Sequence, residues 1–167
     1  MGELVWQWRS EELVFLPQRA LWRPQGHELL LADLHLGKAE TFQAHGIPIP
    51  SDADSGTLNP LLELCHRWQP RRILLLGDLI HARVGLTPRL RDTLRALPDL
   101  SGAEVSLIGG NHDRHSWFEG LPQQPSQALG QLWLSHAPEA SPQPDQLNVC
   151  GHLHPMTTVS YTHLTLP

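Results

Sequence analysis

Short apolar blocks separated by stretches of helical periodicity dominate the pattern along this chain. Residues 28–32, 73–76, 105–108, 132–134 and 147–150 are compact apolar runs, and each ends abruptly in glycine, aspartate, serine or histidine. Such runs are the mark of strands buried on both faces, and they deliver polar groups at their C-terminal ends. Residues 13–16 and 20–22, parted by Pro17-Gln18-Arg19, predict a hairpin, so that residues 1–32 form a β-rich start. A short helix is expected from about Lys38 to His45, closed by Gly46 and the Pro48/Pro50 loop. Ser51 or Asp52 would cap a second helix running to Trp68. Pro60 predicts a kink in it, or a restart with Asn59 as the cap. Thr87-Pro88 reads as cap and first residue of a third helix to about Leu97. Helices alternating with buried strands define an α/β layered sheet.

Composition narrows the class. The chain has 167 residues, 40% of them hydrophobic and 17% charged, as expected of one globular domain able to bury roughly 68–70% of its unfolded surface. No apolar run approaches the roughly 20 residues of a membrane span, and no basic-then-apolar leader opens the chain. Two cysteines, Cys65 and Cys150, make no disulfide framework. Reduced thiols and a cytoplasmic location are the reading. The net charge of −5 excludes a general polycation. Eleven of the twelve basic residues are Arg, however, and Arg83, Arg89, Arg91 and Arg95 fall within thirteen positions. That cluster is either a solvated helix face or a phosphate-gripping patch.

Histidine changes the picture most. There are eleven, and several stand where apolar runs stop. Five strand ends offer Asp33/His35, Asp78, Asn111/His112, His136 and His152/His154. The single spacer in Asp33-x-His35 and His152-x-His154 would aim both members of each pair to one side of an extended chain. One such turn histidine is unremarkable; five polar strand ends converging on one edge describe a site. Imidazole with carboxylate and amide oxygen suits first-row divalent metals: Mn, Fe, Zn, Ni or Co. A lone carboxylate such as Asp78 can bridge two ions. Two divalent cations against Asp33, Asp78 and a hydroxide leave one positive charge, which a phosphodiester monoanion would balance.

Asp33-x-His35, Gly77-Asp78, Gly110-Asn111-His112-Asp113, His136 and Gly151-His152-x-His154, in this order, resemble the calcineurin-like metallophosphoesterases over residues 29–155. The resemblance implies a four-layer αββα sandwich with a dinuclear centre at the strand ends. It implies Asp33, His35 and His154 on one metal, Asn111, His136 and His152 on the other, and Asp78 bridging. Mn²⁺ leads the expected pair of ions. His112 would contact the phosphate and protonate the leaving oxygen, oriented by Asp113. The segments Ala32–Lys38, Gly46-Ile47-Pro48 and Gly77–Arg83 are similar to the ligase-associated DNA damage response endonuclease (PdeM-type) branch. That similarity implies a DNA phosphodiesterase working beside a ligase, helicase and exonuclease. Lys38, His81, Arg83 and Arg114 would then be substrate-side groups. The alternatives are helical surface for Lys38 and, for His81, a hydrogen bond to a carboxylate behind the metal ligands.

Residues after His154 lack the strand-turn-strand pattern that would complete a second sheet. The expectation is a single domain over residues 1–158 that is C-terminally truncated. Residues 159–167 then form a non-native tail resembling adaptor read-through, and an edge strand is left unpaired. Competing functions are a small-molecule phosphatase or cyclic-nucleotide phosphodiesterase, favoured by the acidic net charge, and a non-catalytic scaffold, which predicts missing ligands. The arginine cluster favours a polymer.

Overall fold

A computed structural model describes residues 2–50, 54–113 and 118–153. Seven strands form one mixed sheet in sequence order: β1 (Leu4–Trp8), β2 (Glu11–Leu16), β3 (Ala20–Arg23), β4 (Glu28–Leu31), β5 (Arg72–Leu75), β6 (Glu104–Ile108) and β7 (Gln123–Gln124). The first four pair as an antiparallel meander, and β4 through β7 run parallel. A second sheet of three strands has the order β10 (Leu147–Cys150), β9 (Leu132–Ser135), β8 (Ser126–Leu129), with β9 and β10 parallel and β8 and β9 antiparallel. Helices α1 (Lys38–Ala44), α2 (Ser55–Trp68) and α3 (Pro88–Ser101) fill the connections.

Alternation along the central strands sorts the core into two clusters. Leu29, Leu31, Ile73, Leu75, Val105 and Leu107 pack with Leu58, Leu61, Leu64 and Cys65 of α2 and Leu90, Leu94 and Leu97 of α3. Leu30, Leu74, Leu76 and Ile108 point the other way, onto Leu129, Leu132 and Leu134 of the small sheet. One face of the large sheet is therefore covered by helices and the other by strands, which explains why these blocks are apolar at nearly every position. Fully burying each leucine stabilises the fold by about 1.5–3 kcal/mol before conformational entropy is counted. Within the described residues this gives a helical layer, the large sheet and the small sheet. Both long helices lie on the same side, so neither supplies the outer helical layer of the expected four-layer sandwich.

Several expectations are corrected. Helix α2 is one helix through Pro60, not two, and it begins at Ser55; residues 51–53 lie outside the described set. Proline at its sixth position forfeits only the bond to Gly56, a loss that burial of Leu58, Leu61 and Leu64 outweighs. Helix α3 is capped as read, the Thr87 hydroxyl accepting from Leu90 N–H at 3.2 Å, but it runs through Pro98 to Ser101 and is closed by Gly102 at φ 66°. Strands β1, β7 and β8 are additions to the elements expected from the sequence. The C-terminal tail, with His154, lies outside the described residues.

An ion network locks the meander to the small sheet. Arg23 donates to Glu11 at 2.6 and 3.1 Å and to Glu28 at 2.5 Å, and Arg72 adds a further bond to Glu28. Glu11 also accepts from Gln131 N–H at 2.9 Å. Burial alone would raise the Glu11 carboxyl, yet the Arg23 and Gln131 hydrogen bonds bring it net below its usual range.

Candidate metal centre

Every described polar strand end projects from the C-terminal edges of β4, β5, β6, β9 and β10, the edge where parallel α/β sheets carry their ligands. The loops after β4 and β5 continue the parallel pairing beyond the strands. Asp33 N–H bonds Gly77 C=O at 3.1 Å, His35 N–H bonds Asp78 C=O at 2.9 Å, and Leu36 N–H bonds Leu79 C=O at 2.8 Å. Within this ladder Asp33, His35 and Asp78 adopt φ of 55°, 46° and 52°, and His152 adopts 65° across the seam. Left-handed backbone at non-glycine residues costs of order 1–3 kcal/mol each and gathers at functional sites. It also revises the spacing argument: Asp33 and His35 converge on the site through a left-handed twist, not by alternation along an extended strand.

Asp78 is the hub. It is 3% exposed, and its Oδ1 accepts the His112 backbone N–H at 2.9 Å. The same oxygen lies 3.4 Å from His136 Nε2, while Oδ2 lies 4.0 Å from His35 Nε2 and 3.9 Å from His112 Nε2. Two groups of donors result, His35/Asp78/His112 and Asp78/His136/His152, each with ligand atoms within 4.8 Å of one another and both sharing Asp78.

Tautomers decide whether these groups suit a cation. His136 Nδ1 lies 2.9 Å from Leu76 C=O, an acceptor, so Nδ1 carries a proton and the neutral ring turns the Nε2 lone pair toward Asp78. That Nε2 is buried without a hydrogen-bond partner among the described residues. Two electron-rich atoms facing each other across 3.4 Å in a buried site are unfavourable unless a proton or cation lies between them. His112 repeats the arrangement, with Nδ1 2.6 Å from His81 C=O and Nε2 toward Asp78 Oδ2. A divalent metal fits this donor set, and a backbone acceptor behind a ligating imidazole is the usual support.

Glycines clear the space. At Gly77, φ is 84° and a Cβ would overlap the His136 imidazole. Gly110 has ordinary φ, but a Cβ there would strike the Asp78 backbone nitrogen and carboxylate. Close approach, not turning, is why glycine stands at position 110.

The remaining sequence-derived residues divide. Asp33 borders the site and its carboxylate accepts the His152 N–H at 3.0 and 3.2 Å, tying β4 to β10. The Asn111 amide contacts His152 Nδ1 at 3.2 Å. Asp113 does not orient His112. It is buried, and its oxygens accept Gly110, Leu79 and Ile80 N–H at 3.1–3.3 Å, so it braces the two loops that carry Asp78 and His112. His81 stacks on the His112 ring at 5.5 Å and contacts the His35 ring edge at the same distance. Burial first, then the neighbouring His35, His112 and Lys38, holds the His81 imidazole below its usual range. Lys38 opens α1, and Arg83 is exposed on a single 3-10 turn, Arg83–Gly85. His154 and Arg114 lie outside the described residues.

The arginine cluster does not converge on the histidines in the contacts described. Arg95 pairs with Asp92 at 3.2 Å, and Arg89 lines a separate cleft of about 200 Å³ with Glu40 and Asp54. Asp54 is a residue that sequence reasoning missed. Its carboxylate accepts Gly37 N–H at 2.9 and 3.0 Å and so fixes the turn between Asp33-Leu34-His35 and α1; an Asp in a Pro-rich loop carries no signal of this.

Fold and site together define a mixed α/β protein with a histidine–carboxylate cluster that could hold metal where the two sheets meet. No family model matches the chain, and no curated protein matches it. Among solved structures, the crystal structure of Pseudomonas putida nuclease MPE is similar, with a TM-score of 0.71 and 27% sequence identity over 91% of this chain and 74% of that one. No helix among the described residues is long and apolar enough to cross a membrane.

Proposed function

We propose that this chain is a metal-dependent phosphodiesterase of the metallophosphoesterase type that cleaves DNA, with two divalent cations, Mn²⁺ foremost, shared through Asp78. The observation that carries the reading is the division of Asp78: one carboxylate oxygen faces His136 and the other faces His35 and His112, with Nδ1 of His136 and of His112 each turned to a backbone carbonyl. Asp33, Asn111, His152 and His154 complete the proposed ligand set. Similarity to a nuclease of known structure supports a nucleic-acid substrate. The sequence motifs carry the finer assignment to a cytoplasmic ligase-associated repair context.

Bound divalent cations would acidify a water and neutralise phosphate charge. The chain's own residues do the rest. Leu76 and His81 carbonyls hold His136 and His112 in the tautomers that turn Nε2 inward. Asp113 holds the β5 and β6 loops together, so the distance between Asp78 and His112 is fixed by backbone. The His112 side chain is 42% exposed against 4% for His136. It therefore stands at the mouth, where a phosphate oxygen would arrive; with a second proton taken up from solvent on Nε2, its imidazolium would contact the phosphate and pass that proton to the leaving oxygen.

The test is hydrolysis of bis-p-nitrophenyl phosphate, p-nitrophenyl phosphate and single- and double-stranded DNA by the Mn²⁺-loaded protein, beside His112→Ala. Diester and DNA cleavage that falls at least about 100-fold in the variant, with metal stoichiometry retained, is expected. A preference for the monoester without DNA cleavage refutes the nuclease reading. Loss of bound metal in the variant makes His112 a ligand instead.

A further inference from the structure

A groove of about 530 Å³ opens beside the histidine cluster and shares Asp33 and His35 with it. Its size falls within the roughly 300–1,000 Å³ usual for small-molecule sites. Buried Leu61 and Leu64 of α2 and Leu31 of β4 contribute an apolar floor. Arg19, from the β2–β3 turn, and Lys38, from the start of α1, stand on its wall, as do Asp33 and Asp54, whose carboxylates accept the His152 and Gly37 N–H groups. Both cations are exposed, and among the described residues neither has a carboxylate within salt-bridge distance.

Arg19 is also held at φ 61°, its N–H bonded to Leu16 C=O at 3.1 Å. A tight hairpin turn in the left-handed region favours Gly or Asn, and an arginine there gives up backbone preference. Arg19, Lys38 and the apolar floor lie along one groove that leads to the candidate metal ligands.

We infer that this groove is a nucleotide subsite. It takes the nucleoside next to the scissile phosphodiester, with base and sugar on the apolar floor, while Arg19 and Lys38 hold the adjacent backbone phosphate. This rests on the phosphodiesterase reading above and adds to it where the polymer runs. A lone phosphomonoester would leave the groove and both cations unused. A chain with a phosphate on either side of each nucleoside engages the metal cluster and the cationic wall at once.

Two variants test it. Arg19→Asn removes the charge and suits the left-handed backbone. Gly56→Trp places an indole in the groove from a position where an added Cβ meets nothing within 4 Å among the described residues. Binding is read by fluorescence anisotropy of a 5′-fluorescein-labelled oligo(dT) tetramer on the full chain in EDTA, so that no metal chemistry enters. Each variant should weaken binding at least tenfold, whereas Arg67→Gln, at the other end of α2, should not. With Mn²⁺, the ratio of kcat/KM for the tetramer to that for bis-p-nitrophenyl phosphate should fall by a similar factor. Unchanged affinity and an unchanged ratio in both variants overturn the subsite. Equal weakening by Arg67→Gln reduces it to general charge attraction and overturns it as well. Absence of all diester hydrolysis in the parent protein defeats the phosphodiesterase reading, while the binding arm still decides the groove.

Discussion

Asp78→Asn isolates the charge at the hub while leaving its shape. Asn keeps an oxygen for the His112 N–H, 2.9 Å away, and tolerates the left-handed φ of 52° better than most residues. The variant should therefore fold. In the metal-free protein it removes a 3%-exposed carboxylate whose charge is costly to bury, so its melting temperature should equal or exceed that of the parent. Metal reverses the order. A cation bound only by the native state adds about 2.7 kcal/mol at a hundredfold excess over Kd. For a chain of this size each kcal/mol moves Tm by about 2–4 °C, so the parent should gain about 5–11 °C. With one formal charge gone from both donor groups, Asp78→Asn should gain less than about 2 °C at the same Mn²⁺ concentration. Differential scanning calorimetry with EDTA and with Mn²⁺ reads both numbers. An equal metal-induced shift in parent and variant would show that the cation does not sit on Asp78.

Three further outcomes are expected from the same structure. Gly77→Ala should lose about 1–3 kcal/mol from its positive φ alone and more from contact with His136; Gly46→Ala, with φ 78° and open space, gives the backbone part by itself, and urea melts that coincide for the two would refute the packing argument. The Glu11 carboxyl lies below its ordinary value in the folded chain, so its contribution is present above about pH 4.5 and is lost as pH falls through the lower folded value; the drop in urea midpoint between pH 5 and 3 should be smaller in Glu11→Gln. Burial pushes the Cys65 thiol up to about 11, leaving roughly a thousandth as thiolate at pH 8, so iodoacetamide should label it about a hundredfold more slowly than after unfolding in guanidinium, as followed by mass spectrometry.

The parallel strands are legible in the sequence because burial on both faces forces continuous apolar runs, and the polar residues that terminate each run stand out by contrast. The α3 cap is legible because Thr-Pro is a local device. Strand β1, Leu4–Trp8, is not, because its residues are largely exposed and so carry no burial pattern; nor is β7, two glutamines whose pairing depends on the neighbouring β6. The gathering of donors is visible in the sequence, but their mode of approach is not. Asp33 and His35 reach the site through left-handed backbone, and nothing in residue identity distinguishes that from alternation. Asp113 likewise reads as a partner for the adjacent imidazole. Its distant acceptor role toward Leu79 and Ile80 depends on how two loops pack, which neighbours in sequence do not encode.

The two donor groups have different birthdays. Asp33, His35, Asp78 and His112 belong to loops of the large sheet, whose last strand ends at Gln124, whereas His136 and His152 arrive with the small sheet. A chain emerging from its N-terminus can lay down the meander and β4–β6 and still possess only one side of the hub. The opposite side closes only after Gly151 and His152 are free to dock, drawn in by the bonds from His152 to Asp33 and from Gln131 to Glu11. The centre thus needs residues of both sheets before it is whole. A cation captured there would fasten together segments made at different times.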